Sequence, residues 1–224
     1  MQSLYDTSTS PQSVDEAVAQ GPYSQPIQDL HRFRLPKDFR ERPAWFVQLW
    51  WVVQATLFRM SPQVLYGWRR FLLRLFGCRV GPGVLIRPTA EITYPWKVSI
   101  GAFSWIGDHV TLYSLGEIHI ADNVVISQRS YICTGSHDFS VPTFDIFAVP
   151  IVIEAESWIA TDVVIAPGVR IGRGAVIGAR STVLHDAPPM MICFGNPAKP
   201  IRPRLAAPPE PNFAHNVVNE RYKS

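Results

Sequence analysis

The chain has 224 residues, with 21 Lys and Arg against 18 Asp and Glu, 47% hydrophobic residues, 20 Pro, 14 Gly, 3 Cys and 7 Trp. That length suits one ordinary domain with attachments; the hydrophobic content excludes a wholly disordered chain, and proline at near twice its usual share of about 5% argues against an all-helical bundle. The formal net charge of +3 says less than its placement, because between Pro43 and Ala90 there are six arginines (59, 69, 70, 74, 79 and 87) and no acidic residue.

Residues 1–36 are rich in Ser, Thr, Gln, Pro and Asp without apolar periodicity and are expected to be disordered, so 1–42 is assigned as an N-terminal segment. It lacks a basic stretch followed by an apolar core and a cleavage site, so no secretory signal is expected. Cys78, Cys133 and Cys193 are odd in number, widely spaced and without a CxxC pair. Neither a disulfide framework nor a zinc knuckle is expected, and a reducing, cytoplasmic compartment is the default. The apolar run AWFVQLWWVVQATLFRM (44–60) is broken by Gln48, Gln54, Thr56 and Arg59. It is shorter than the roughly 20 apolar residues that span a bilayer.

This run predicts a helix over 44–59 with Pro43 in its first turn. Ser61-Pro62 predicts the start of a second, ended by Gly77, that turns Val64, Leu65, Trp68, Phe71, Leu72, Leu75 and Phe76 to one face. Two readings of 43–77 stand side by side. One is a helical cap on a larger core; the other is a basic, tryptophan-rich surface (44–76) that touches the inner face of a membrane or a lipid-linked substrate.

From Val80 the pattern changes to period six. Aliphatic leaders stand at Val80, Ile86, Ile92; Ile100, Ile106, Leu112; Ile120, Ile126, Ile132; Ile153, Ile159, Ile165; and Ile171, Ile177, Val183. Four residues after each leader the side chain is small or β-branched, Trp96 excepted. Three hexads make an 18-residue coil, so the spacing predicts a mainly β domain: a parallel β-helix over 80–188 of about five coils, with a loop insertion at 138–152 and a C-terminal extension at 189–224. A β-sandwich with period-two strands would give no constant six-residue spacing.

These residues resemble the hexapeptide-repeat acyltransferases. ISQRSYICTGSHDF (126–139), WIATDVVIAPGVRIGRGAVIGARSTV (158–183) and GNPAKPIR (195–202), with SPQVLYGWRRFLLRLFG (61–77), are similar to the colanic-acid-biosynthesis type of O-acetyltransferase. The resemblance covers about 45–204. It implies a left-handed β-helix, against the usual crossover hand, a homotrimer, and acetyl transfer from acetyl-CoA to a sugar hydroxyl in clefts between subunits. Neither a metal nor a nucleic-acid partner is implied.

Transfer to a hydroxyl needs a base, and imidazole suits it because it accepts and returns a proton near neutrality. By resemblance His137, where the insertion leaves the third coil, is that base. Asp138 is adjacent to it, and Glu117 is expected to stack beneath it, each able to orient the ring. The family's acceptor-binding asparagine from coil two is absent; that register falls at Gly107-Asp108, so Asp108 or His109 takes the acceptor role. For the donor, Trp158, Ala160 and Thr161 match a segment along the pantetheine arm. Gly178 and Ala179 lie one coil on, and Lys199 and Arg202 match cations that face the nucleotide phosphates. The usual Thr-Lys pair after the last coil is Leu184-His185 here. Residues 160–204 carry six cations against two acids, a net +4, which fits an anionic donor. Two other functions compete. A γ-type carbonic anhydrase would need three zinc-binding histidines, and His137 has no histidine partner in its loop; a non-catalytic trimeric scaffold would not bind coenzyme A.

Overall fold

The structure, a computed structural model, describes residues 26–205. The expected disorder of 1–25 and the tail from 206 lie outside the described residues. Those up to Phe39 together with Ser136–Phe147 form one compact unit; those of Arg40–Gly135 and from Ala148 onward form the other. In the smaller unit, residues 26–36 are not featureless. A 3-10 turn occupies Leu30–Arg32, and the Asp29 amide donates to the Pro142 carbonyl at 2.7 Å.

The larger unit is a parallel β solenoid with three flat sides. The first side stacks Arg79–Val80, Val98–Ile100, Ile118–Ile120, Ile151–Ile153 and Arg170–Ile171. The second stacks Leu85–Ile86, Trp105–Ile106, Val125–Ile126, Trp158–Ile159, Val176–Ile177 and Met191–Gly195, closed by the antiparallel Ala198–Pro203. The third stacks Glu91–Ile92, Thr111–Tyr113, Tyr131–Cys133, Val164–Ile165 and Thr182–Val183.

All fifteen leaders pair leader to leader between neighbouring coils. None is more than 8% exposed. Burying three columns of Ile, Leu and Val supplies the apolar driving force, at about 25 cal/mol per Å² removed from water. The stack runs beyond the five coils expected. Ala187 bridges Ile171 and Cys193 pairs with Ile177, which begins a sixth turn.

Each corner needs a sharp bend, and it falls at one residue. Three positions after the leader, Gly83, Phe103, His109, Asn123, Arg129, Glu156, Asp162, Gly168, Gly174 and Arg180 all have φ between 55° and 82°. One position further on, buried serines satisfy the coil above. Ser104 Oγ donates to the Ala121 carbonyl, Ser130 Oγ to Ala160 and Ser157 Oγ to Gly172.

Two helices precede the solenoid. Helix α1 spans Ala44–Val53, with Pro43 as its N-cap, and continues as a π turn over Gln54–Phe58. The turn leaves Gln54 Oε1 free to accept from the Ile92 amide at 2.7 Å, an open backbone donor of the first coil. Helix α2 spans Tyr66–Leu75, so it starts later than the Ser61-Pro62 signal implies. Ser61 is otherwise engaged: its hydroxyl donates to the Phe58 carbonyl and accepts from Arg69.

The apolar stripe expected to face the core is split. Leu72 and Phe76 are buried, together with Arg69 and Leu73, while Val64, Leu65, Trp68, Phe71 and Leu75 are exposed. Periodicity reports a stripe but not which edge of it is packed. The arginines decide the edge, because the first coil presents unpaired carbonyls to the cap. Arg69 Nε donates to Ile86, Arg70 to Val84 and Arg74 to Val80. Trp50 Nε1 donates to Ile92. Half of the acid-free arginine run, Arg69, Arg70 and Arg74, therefore serves as an end cap that satisfies backbone acceptors. Among the described residues no helix is long and apolar enough to cross a membrane.

Candidate active site

His137 ends the strand Gly135–His137, which pairs with Ile146–Ala148 as a two-stranded hairpin. The excursion is tighter than the 138–152 read from the repeat, since the Val149 amide already donates to the Thr134 carbonyl. His137 Nδ1 lies 2.8 Å from the Phe144 carbonyl oxygen. A carbonyl can only accept, so Nδ1 carries the proton and Nε2 of the neutral ring keeps its lone pair. Phe144 also stacks on the imidazole, with ring centroids 4.3 Å apart and planes 10° from parallel. Phe144 holds φ at 51°, a left-handed conformation costly for an aromatic residue and of the kind found at functional sites. Phe33 adds a tilted ring at 6.2 Å.

Neither expected carboxylate is the listener on Nδ1. Asp138 Oδ1 accepts from the amide and hydroxyl of Ser140, bonds that hold its carboxyl below the usual range. Glu117 pairs with His119 Nε2 at 3.0 Å, and His119 Nδ1 lies 3.0 Å from Ser99 Oγ. The sequence spacing expects His137 to stand above Glu117. The Glu117 carbonyl accepts from the Ile151 amide, so the chain returning from the insertion occupies that register.

On the second flat side a cavity of about 560 Å³ is lined by Tyr66, Arg87, Trp105, Asp108, Gln128 and Trp158. It brings together two residues assigned from sequence, Asp108 and Trp158. Asp108 accepts from Arg87 Nε at 2.7 Å and from Thr89 Oγ1 at 2.8 Å. Partial burial works against its charge, but the bonds from Thr89 and Arg87 prevail and hold its carboxyl below the usual range. It is thus an ionised acceptor suited to a substrate hydroxyl. His109 is a corner residue with φ of 55°, and its amide donates to Thr89 Oγ1. Trp158 Nε1 donates to Ser127 Oγ at 3.0 Å.

Sequence reasoning missed Tyr66, Arg87, Trp105 and Gln128. One signal was available. The position just before each second-column leader reads Leu85, Trp105, Val125, Trp158 and Val176, and its two tryptophans both remain half exposed. Large indoles turned outward on a flat sheet form a wall rather than a core.

The Asp108 pairing yields a pH prediction. A carboxyl whose folded pKa is depressed stabilises the fold above its unfolded value of 3.8 and loses that contribution as pH falls through the lower folded value. Asp108→Asn is expected to flatten the acid limb of stability below about pH 4, measured by urea midpoints across pH. An unchanged acid limb would show the pair is inert.

Further along the stack, the Ala160 amide donates to the Ile177 carbonyl, so Ala160 and Gly178 are neighbours as expected. A Cβ on Gly178 would lie 2.8 Å from Phe194 Cβ, so packing alone requires glycine there. Ala179 is exposed, and Thr161 Oγ1 donates to the Gln128 carbonyl. Two of the six cations of 160–204 pair with acids from outside that window, and a third lies near Asp162 within it. Arg170 pairs with Glu154, Arg173 with Glu156 at 2.9 Å, and Arg180 approaches Asp162 at 3.9 Å. Arg204 donates to the Glu156 and Gly174 carbonyls. Lys199 and Arg202, on the strand Ala198–Pro203, are exposed, and among the described residues no carboxylate pairs with them. The three thiols are free; burial pushes Cys78 up to about 12 and also raises Cys133 and Cys193, which suits packing rather than nucleophilic roles.

Comparison with known proteins bears on the family and the fold. The family described as bacterial transferase hexapeptide (six repeats) matches residues 150–185. The chain is 58% identical to an Escherichia coli K12 protein named as a colanic acid biosynthesis acetyltransferase, WcaF, over 80% of this chain and 98% of that one. It is 30% identical to the galactoside O-acetyltransferase of Escherichia coli K12, over 60% of this chain and 68% of that one. A hexapeptide-repeat acetyltransferase of Vibrio cholerae O1 biovar eltor, solved with acetyl coenzyme A, superposes with a TM-score of 0.64 at 26% identity, covering 71% of this chain and 87% of that one. With the repeat in register over every coil and similarity spanning nearly the whole of a relative, the chain belongs to the hexapeptide-repeat acetyltransferases.

Proposed function

We propose that the protein moves an acetyl group from acetyl-CoA to a hydroxyl of a sugar or exopolysaccharide precursor, with His137 as general base, in a homotrimer. The observation that carries the reading is the His137–Phe144 pair, which leaves Nε2 as the proton acceptor. As the hydroxyl oxygen attacks the thioester carbonyl carbon, its proton passes to Nε2. Collapse of the tetrahedral intermediate breaks the C–S bond, and the imidazolium returns the proton to the departing thiolate. The donor in the Vibrio cholerae relative and the acceptor class of the galactoside enzyme both support this assignment. The cavity beside Asp108 and Trp158 offers what a sugar needs: an ionised acceptor for hydroxyls and indole faces for the ring.

Lys199 and Arg202 are proposed to face the donor's phosphates. The double variant Lys199→Ala, Arg202→Ala is expected to weaken coenzyme A binding by about tenfold or more at low salt, with the gap closing as salt rises. Calorimetry or a ligand-induced rise in melting temperature reads this out. Unchanged affinity would remove both residues from the donor site, and no affinity in the wild type would leave the scaffold reading.

A further inference from the structure

We propose that the outer face of the two N-terminal helices docks on a bilayer bearing anionic lipid. The inference is independent of the acetyl-transfer reading. Trp68, Phe71 and Leu75 recur at steps of three and four, so they share one stripe of α2, distinct from the buried edge at Arg69, Leu72, Leu73 and Phe76, and Val64 in the preceding turn is exposed as well. Trp68 and Phe71 stack with centroids 5.7 Å apart, and Trp68 Nε1 donates to the Leu57 carbonyl, which joins α2 to the end of the preceding helical segment. On α1 the outward residues Trp45, Leu49 and Val52 repeat the same spacing, and Leu57 and Met60 are exposed as well. Exposed side chains this apolar and this rich in indole are unusual on a water-facing surface, whereas indole suits the headgroup level of a bilayer.

Charge identifies the occupant. Of the six arginines from Pro43 to Ala90, Arg59 pairs with Glu91 and Arg87 with Asp108. Among the described residues no carboxylate pairs with Arg70, Arg74 or Arg79. Arg74 and Arg79 line a cavity of about 570 Å³ with Ser99, Gly81 and Gly101, and Arg74 immediately precedes Leu75 in α2. Arg70 and Arg74 donate to the Val84 and Val80 carbonyls, yet no carboxylate among the described residues offsets their charge or that of exposed Arg79. Apolar side chains close in sequence to such arginines match the acyl chains and anionic headgroups of a bilayer. A second copy meeting the same face across a two-fold axis would set arginine against arginine.

The test is co-sedimentation of the full chain with vesicles of phosphatidylcholine, with and without about 30% phosphatidylglycerol. Wild type is expected to bind the anionic vesicles at least about tenfold better, and added salt to weaken that binding. Trp68→Gln with Phe71→Gln is expected to lose about tenfold or more in binding. Trp68 also gives up its bond to the Leu57 carbonyl, so Phe71→Gln alone, at a side chain 53% exposed, is the variant expected to bind less with little change in melting temperature. Leu75→Gln, on the same stripe, provides a second readout, and Arg79→Gln should lower only the preference for the anionic vesicles. Equal binding by wild type and the stripe variants, or no binding to either vesicle, overturns the proposal. So does self-association that the stripe variants abolish in the absence of vesicle binding, which would assign the face to a second copy.

Discussion

His137→Ala is expected to lower kcat for acetyl transfer by about a hundredfold to ten-thousandfold, the usual contribution of a positioned general base. Affinity for coenzyme A should hardly change, because the residues proposed for the donor lie on other elements. The argument rests on the tautomer. With Nδ1 donating to the Phe144 carbonyl, Nε2 of the neutral ring has nothing to do but accept. His137→Gln keeps some volume and polarity but not the base, so it should be as slow as alanine. Steady-state rates with acetyl-CoA and a glycan acceptor, alongside melting curves, distinguish lost chemistry from a lost fold. A variant that turns over within a few-fold of wild type would remove His137 from the reaction.

Arg69→Ala is expected to be the most destabilising change in the cap, at roughly 3 kcal/mol or more. The Arg69 side chain is fully buried, and its guanidinium donates to the carbonyls of Ile86, Pro62 and Gln63 and to the hydroxyl of Ser61. It also sits 4.9 Å from the centre of the Tyr66 ring. Burial draws its pKa below the ordinary arginine value, yet no weaker base could stay charged there as readily. Truncation leaves the buried Ile86 carbonyl and the part-buried carbonyls of Pro62 and Gln63 without that donor, and a cavity where the side chain lay. Lysine cannot restore the fork, so Arg69→Lys should recover only part of the loss. Urea midpoints at one fixed protein concentration measure both; an alanine variant within about 1 kcal/mol of wild type would show that water satisfies those carbonyls.

The solenoid was legible because its information is redundant. Each leader from Val80 to Val183 is fixed both by its own burial and by the coils on either side, so one local rule repeated fifteen times yields the register. The sixth turn was not legible, since Ala187 and Cys193 continue the columns without the aliphatic signature. Pairing between coils was also hidden. Glu154 and Glu156 lie 16 and 17 residues before Arg170 and Arg173, about one coil away, and so neutralise cations that a linear window counts as free. The helix stripe misled for a different reason. Apolar spacing on α2 says nothing of where the first coil's open carbonyls lie, and those carbonyls recruit Arg69, Arg70 and Arg74 to the packed side. At the site, His137 could be picked out by its motif, but its orienting partner is a backbone carbonyl, which no side-chain search can find.

The central claim is acetyl transfer to a sugar hydroxyl with His137 as base, and isotope-labelled acetyl-CoA tests it most directly. Wild-type protein and His137→Ala are each incubated with the labelled donor and a panel of exopolysaccharide fragments, and the glycans are read by mass spectrometry. The account predicts that wild type places label on a glycan as an alkali-labile ester and that the variant places almost none. Label on no glycan, or equal label from both proteins, would contradict it.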